Sequence, residues 1–227
     1  MAKFRYLAVA VKETYVMIVA RRSGIGKFSD LLEQDTKPLV LGAIPNSTLE
    51  HAPLLLRETL GAKLKVVSGY KGSADIRLAM DSGEINGFFN PWSTLKNTAR
   101  EKLRTGEWLV IAQLDNQSLT DLQANGIPTI PQLTEDENKR ALLYYGTSAP
   151  NQFGKVYVLP PGVAPATAAA LEAGFAKTLR DKGFLADAEK SKLEITPIFG
   201  AAIHTIVDDF LNMPPAIKEK LRRTIKK

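Results

Sequence analysis

Short apolar runs alternate with segments of helical periodicity through the first half of the chain. These apolar runs predict strands at residues 16–20, 38–43, 63–67, 85–89 and 108–112, and the first of them is rich in β-branched residues. Helices are predicted between them, at residues 28–33, 49–60 and 74–82 and from Pro91 onward. Single helices between successive strands are typical of βαβ units, so the pattern predicts an α/β fold with a mostly parallel sheet.

The second half of the chain does not continue this alternation of strands and helices. Residues 115–133 are polar and carry glycine and proline, which predicts a crossing loop or hinge. Thr134 and Glu137 have the spacing of a capping box, at the start of a helix that reaches Tyr145. The remaining predicted elements are a strand at 155–159, a helix at 165–193 broken at Gly183, a strand at 195–199, and helices in 200–227. This half therefore provides helices but only two strands, as part of a second lobe would.

Composition excludes several kinds of chemistry. The 227-residue chain has no cysteine, so disulfides, thiolate metal sites and thiol catalysis are excluded. Its two histidines, His51 and His204, have no carboxylate or second histidine at ligand spacing, and no Gly-x-Ser-x-Gly elbow occurs. We therefore expect no metal, no cofactor and no enzyme activity. The net charge of +6 is concentrated in residues 218–227, which we interpret as a solvated helix face and not as a nucleic-acid site.

The N-terminal apolar segment is too short, and too closely flanked by charge, to be a signal peptide. No apolar run approaches the ~20 residues needed to span a bilayer. If Met1 is the natural start, these features predict a cytoplasmic location.

Two turns of the predicted sheet have residues suited to holding an anion. A parallel sheet presents helix N-termini at the carboxyl ends of its strands, where unpaired N–H groups and a partial positive charge are available. One turn carries an amide and two hydroxyls before a helix, and the other, residues 69–73, carries two glycines that let the backbone approach a ligand. The candidate ligand-binding residues are Asn46, Ser47, Thr48, Tyr70, Lys71, Gly72, Ser73 and Trp92. Taken alone, each turn is also explained as a capped helix, and Trp92 as either a cleft wall or a core residue.

Several segments together resemble a known family. They are residues 69–80, 83–87, 92–96, 157–162 and 184–195 and the closing Pro-Ile-Phe-Gly at 197–200. In this order they are similar to the extracytoplasmic solute receptors of tripartite tricarboxylate transporters, the Bug or TctC-like proteins. The resemblance covers nearly the whole chain.

The resemblance implies a type II periplasmic-binding-protein-like fold that closes on a carboxylated metabolite and delivers it to membrane permease subunits. It implies one complete ligand-binding lobe at residues 15–114. A hinge and the C-terminal part of the other lobe would follow at 115–227, and residues 1–14 would form a crossover strand. The ligand would be a di- or tricarboxylate or a related organic acid, and the location periplasmic.

The family's members begin with a signal peptide and the opening βα units of the first lobe, whereas this sequence starts near the crossover. We therefore expect an incomplete lobe that exposes apolar surface, and with it dimerisation or domain exchange. An alternative function is that of an interaction or regulatory module that keeps the fold without capturing a ligand.

Overall fold

The apolar runs form strands in the computed structural model, which describes residues 4–191 and 193–225. The strands are β1 (Arg5–Val11), β2 (Tyr15–Ala20), β3 (Leu39–Ala43), β4 (Leu64–Ser68), β5 (Gly87–Pro91), β6 (Trp108–Gln113) and β7 (Lys155–Leu159). The helices up to residue 143 are α1 (Thr48–Leu60), α2 (Ser73–Ser82), α3 (Trp92–Thr98), α4 (Arg100–Arg104), α5 (Thr120–Gln123), α6 (Ile130–Leu133) and α7 (Glu137–Leu143). The later helices are α8 (Ala149–Asn151), α9 (Pro165–Thr178), α10 (Lys182–Lys190), α11 (Ala201–Leu211) and α12 (Pro215–Ile225).

Contacts group these elements into two units. The five-stranded unit is formed by Thr14–Ser148 together with the chain from Pro214. The two-stranded unit is formed by the chain up to Glu13 together with Ala149–Met213. The sequence predicts a ligand-binding lobe at residues 15–114 and part of a second lobe at 115–227. That division by ligand-binding role stays a prediction.

The five-stranded unit contains a mixed sheet in the order β4-β3-β5-β2-β6. Strand β3 is parallel to β4 and β5, while β2 is antiparallel to both β5 and β6. Four strands thus run in one direction, and the predicted parallel-rich sheet is confirmed. The exception, β2, follows β1 after a short link without a crossover helix, so no βαβ connection sets its direction.

Helices cover both faces of this sheet. Helix α1 connects β3 to β4, and α2 connects β4 back across β3 to β5, so the two connections run in opposite directions along the sheet. Because such connections are right-handed, α1 lies on one face of the sheet and α2 on the other. Leu55 of α1 is fully buried, as are Ile76 and Met80 of α2. On the α2 face, the ring of Phe88 packs edge-on against Trp108, with 5.7 Å between ring centroids.

The two-stranded unit pairs β1 with β7 in antiparallel orientation. The predicted strand at residues 195–199 is wrong, because this segment forms only an isolated bridge, between Ile198 and Val9. The Thr196 N–H also donates to the Ala10 carbonyl at 3.0 Å, and the Thr196 hydroxyl oxygen accepts a hydrogen bond from the Lys12 N–H at 2.7 Å.

Two predicted helix boundaries also differ from the structure. The Asp136 carboxylate, which accepts from the N–H groups of Asn138 and Lys139, caps α7 in place of the predicted capping box. The long C-terminal helix breaks before Gly183, because Asp181 caps a new helix by accepting from the Phe184 N–H. In both places an aspartate side chain determines where the helix starts.

Candidate functional site

The predicted site residues lie at one edge of the five-stranded sheet. Strands β3, β4, β5 and β6 end at this edge, which we call the carboxyl edge, and β2 begins there. The turn with Asn46, Ser47 and Thr48 follows β3, the turn at residues 69–73 follows β4, and Trp92 follows β5. Three segments that are separate in sequence are therefore neighbours in the strand order.

The turn after β3 satisfies its own polar groups. The Ser47 hydroxyl caps α1, accepting from the Leu49 N–H at 3.2 Å and donating to the Ile44 carbonyl at 2.6 Å. Asn46 has a left-handed backbone with φ of 56°, and its N–H donates to the Glu50 carboxylate at 2.7 Å. The start of α1 is therefore already held by one hydroxyl and one carboxylate of the chain itself.

Glu50 connects this turn with the next one. A hydrogen bond from the Ser68 side chain is the largest cause that lowers the pKa of Glu50. Partial burial opposes that shift, and the Asn46 N–H and the neighbouring His51 add to it. Burial lowers the pKa of His51 in turn, with Glu50 opposing the shift. Sequence reasoning did not identify Glu50, although a glutamate three residues after a capping serine is a recognisable signal.

The turn after β4 leaves the start of α2 without a side-chain cap. Gly69 has φ of 121°, and the N–H groups of Gly69 and Tyr70 both donate to the Ala43 carbonyl at 3.3 Å. Gly72 occupies the capping position in extended backbone and has no side chain to offer, and Ser73 is the first helical residue. Within the described residues, the Ser73 hydroxyl oxygen accepts only a long contact from Arg77, at 3.5 Å. The first N–H groups of α2 are therefore available to an anion.

Tyr70 has a packing role at this turn. Its hydroxyl donates to a Glu84 carboxylate oxygen at 2.6 Å. Burial, followed by this hydrogen bond, raises the pKa of Tyr70 to about 12. Its ring lies so close to Gly42 that a Cβ there would approach a ring carbon to 3.2 Å. Lys71, by contrast, is exposed.

Trp92 lies at the end of β5 and is half-buried. Its indole N–H donates to Asp121 at 2.8 Å, and Lys96 lies 3.9 Å from the same carboxylate oxygen. The indole is thereby held in place by the segment that follows β6.

Asn90 is a residue of this edge that sequence reasoning missed. It is 2% exposed, and its side-chain nitrogen has no hydrogen-bond partner among the described residues. Strand β5 is Gly87–Pro91, not residues 85–89 as predicted, so Asn90 lies inside the sheet, opposite Val16. The prediction ended the strand at Phe89 and so left Asn90 outside it.

The pleat places the Asn90 side chain on the α2 face. Phe88, two residues earlier, shares its face and lies opposite Gly42. A side chain at Gly42 would meet Ile76 of α2. Because α2 begins at the carboxyl edge and Asn90 lies near the end of β5, the unpaired amide belongs to the end of the sheet where α2 starts. A buried donor without a partner lowers the stability of the folded protein by about 1–3 kcal/mol. A ligand oxygen would remove that cost, so the Asn90 amide is a candidate ligand contact.

The segment after β6 is ordered by two buried polar side chains. The Thr14 hydroxyl donates to Asp115 at 2.9 Å, and the other Asp115 oxygen accepts from the Asn116 N–H at 2.7 Å. The Gln113 amide donates to Ser118 and to the Ile127 carbonyl, each at 2.8 Å. The predicted crossing loop is therefore a hydrogen-bonded segment that contains the short helices α5 and α6.

No group of three or more histidine, cysteine, aspartate or glutamate residues in the described chain is arranged to hold a metal ion. His204 packs its ring edge-on against Tyr6, with 6.3 Å between ring centroids. None of the helices in residues 4–191 and 193–225 is long and apolar enough to cross a membrane.

Solved structures share this architecture. The R. palustris protein Rpa4515 with adipate aligns with a TM-score of 0.62 and 16% identity, over 99% of this chain and 69% of that chain. A TctC solute binding protein from Polaromonas, without ligand, aligns with a TM-score of 0.67 and 15% identity, over 96% and 70%. MatC from Rhodopseudomonas palustris with bound malate aligns with a TM-score of 0.54 and 15% identity, over 98% and 67%.

The chain therefore has the fold of the TctC- and Bug-type solute-binding proteins, and it spans 67–70% of the length of these three. The predicted resemblance and fold class are confirmed. No protein-family model and no curated protein matches the sequence. At these identities the likeness establishes the fold.

Proposed function

We propose that this chain is a solute receptor that binds a small carboxylate at the carboxyl edge of the five-stranded sheet. The observation that carries the proposal is the presence of two unsatisfied donors at that edge. They are the uncapped start of α2 and the buried amide of Asn90. A helix N-terminus carries about half a positive charge, and a buried amide without a partner gains a hydrogen bond when a ligand oxygen arrives.

The structural neighbours support this ligand class, since two of them hold adipate and malate. In the proposed complex the ligand carboxylate sits on the N–H groups at the start of α2 and on the Ser73 hydroxyl, with Lys71 adding long-range attraction. The other predicted contacts are Asn46, Ser47, Thr48, Tyr70, Gly72 and Trp92. The turn after β3 is secondary in this arrangement, because its hydroxyl and N–H groups already have partners in the chain.

We further propose that the receptor works outside the cytoplasm, delivers its ligand to membrane permease subunits and performs no chemistry on it. The neighbours include the periplasmic binding protein BugD. A binding site made of N–H groups and a hydroxyl, without a nucleophile–base pair, suits capture and release of a ligand.

The ligand proposal is tested by calorimetric titration with succinate, malate, adipate and citrate. Ser73→Ala is expected to weaken binding of the best acid about fivefold or more, because one hydrogen bond to a charged oxygen is lost. Ser82→Ala is the matched control at the other end of α2, where the hydroxyl donates to the Ala79 carbonyl; it is expected to bind as wild type does. If neither these acids nor the amine-bearing acids aspartate, glutamate and 2-aminoadipate bind, the proposed function is wrong and the alternative of an interaction module without ligand capture is favoured.

The exposed apolar side chains of the two-stranded unit favour association between copies of the chain. Of the ten exposed large hydrophobic side chains in the described residues, eight lie in the two-stranded unit. Two of them, Tyr157 at 45% and Val158 at 39% exposed, are on β7, which pairs only with β1 among the described strands. An apolar strand with a free edge is a template for pairing with another chain.

We propose that two copies of the chain pair through β7. An antiparallel pair centred on Tyr157 places Lys155 opposite Leu159 of the second copy, so the two lysines lie at opposite ends of the pair. Light scattering is expected to give the mass of a dimer for wild type and of a monomer for Val158→Lys. Leu78→Lys is the control, at a 68% exposed position of α2, and should remain dimeric. A compact wild-type monomer would contradict the pairing.

A further inference from the structure

Glu50 places a negative charge between the two turns of the carboxyl edge. Its carboxylate accepts the Asn46 N–H, which belongs to the turn after β3, and the Ser68 side chain, which ends β4. It lies in the first turn of α1 and is half-buried, so its carboxylate is only partly removed from solvent.

No lysine or arginine of the described residues forms an ion pair with Glu50, and His51 is the neighbouring basic group that lowers its pKa. The hydrogen bonds from Asn46 and Ser68 stabilise the ionised form, so the carboxylate is charged at neutral pH. The negative charge of Glu50 therefore attracts or repels any charged ligand group that approaches the start of α1.

The two sides of the edge consequently differ in the ligand charge that they accept. The start of α2 has free N–H groups and an exposed lysine, which suit an anion. The start of α1 already holds the Glu50 anion, which repels a second carboxylate and attracts a hydrogen-bond donor. A ligand that spans both sides needs unlike groups at its two ends.

We propose that Glu50 is a specificity-determining residue that selects a ligand carrying a protonated amine in addition to its carboxylate. This inference rests on the proposed function, because it assigns the second group of the ligand bound at the same edge. The carboxylate binds at the start of α2, and the ammonium group donates to Glu50. A dicarboxylate of the same skeleton leaves Glu50 unpaired and brings a like charge towards it.

Glu50 also helps to cap α1, and that structural role does not by itself distinguish one ligand from another. Discrimination between an amine-bearing acid and its matched plain acid is therefore the informative measurement. Three such pairs are aspartate with succinate, glutamate with glutarate, and 2-aminoadipate with adipate.

In calorimetric titrations, the amine-bearing member of the best pair is expected to bind wild type about tenfold or more tightly than its plain partner, as for a hydrogen bond to a charged group. Glu50→Gln, which keeps the shape and an acceptor oxygen, is expected to reduce this ratio about fivefold or more. Glu58→Gln is the matched control near the other end of α1 and should leave the ratio unchanged.

Equal affinities of wild type for both members of every pair would overturn the role of Glu50 while leaving the carboxylate receptor intact. An unchanged ratio in Glu50→Gln would do the same. If none of the six acids binds, the proposed function is wrong and this inference is wrong with it. Thermal unfolding shows whether Glu50→Gln folds; if it does not, the wild-type ratios alone decide the question.

Discussion

Asn90→Leu is expected to weaken carboxylate binding about tenfold or more and, at the same time, to raise the free energy of unfolding of the free chain by about 1 kcal/mol. The buried amide nitrogen of Asn90 has no partner in the described structure. Leucine has the same branched shape and the same number of non-hydrogen atoms, and it removes a polar group whose burial is unfavourable, so the empty protein gains stability. The same change removes a donor that the proposed ligand would use, so the complex loses affinity.

Calorimetry and urea unfolding measure the two effects separately. Thr59→Val is the matched control, because the Thr59 hydroxyl is also buried without a partner but lies near the end of α1, away from the carboxyl edge. It is expected to increase stability in the same direction and to leave affinity unchanged. Equal affinity of Asn90→Leu and wild type would remove Asn90 from the binding site.

Gly87→Ala is expected to lower the free energy of unfolding by about 2–3 kcal/mol. Gly87 lies in β5, between β2 and β3, where the backbones approach closely. An added Cβ would overlap the backbone carbonyl oxygen of Ile18 and come within 2.9 Å of a Leu41 methyl group. The backbone contact cannot be relieved by rotating a side chain, so the central strands must separate.

Gly174→Ala is the control, and it is expected to raise the free energy of unfolding instead of lowering it. Gly174 lies inside α9, and a Cβ there would meet no other atom within 4 Å. Alanine is expected to stabilise this helix by about 0.5–1 kcal/mol, because it has the higher helix propensity and restricts the unfolded chain. Thermal and urea unfolding of both variants measure the pair. A Gly87→Ala variant as stable as wild type would show that β5 can move away from β2.

The segment from β3 to α2 was predicted well from the sequence. Its signals are local and agree with one another: an apolar run, then the two hydroxyl residues Ser47 and Thr48 ahead of a helix, then Gly61 after it. In the structure Ser47 is the N-cap, and Gly61 and Gly83 have the left-handed backbone of helix ends. Caps and stops act over four or five residues, so one sequence is sufficient to locate them.

Features that depend on distant residues were predicted less well. The reversed direction of β2 and the bounds of β5 depend on strand pairing across the sheet, which periodicity does not report. The hydrogen bond between Glu50 and Ser68 joins residues that only the sheet makes neighbours. Asn90 falls between a strand predicted to end at Phe89 and a helix predicted to begin at Pro91, whereas pairing with β2 extends β5 through both residues.

The sequence by itself determined the alternation of strands and helices, the family resemblance and the two turns with residues suited to an anion. Each of these is encoded within a few neighbouring residues or in the order of such segments. Only the tertiary structure decided that the start of α1 is occupied by Glu50, that the start of α2 is open and that Asn90 is buried without a partner. Whether a polar group is satisfied depends on which atoms surround it, and the packing of the sheet against its helices settles that question.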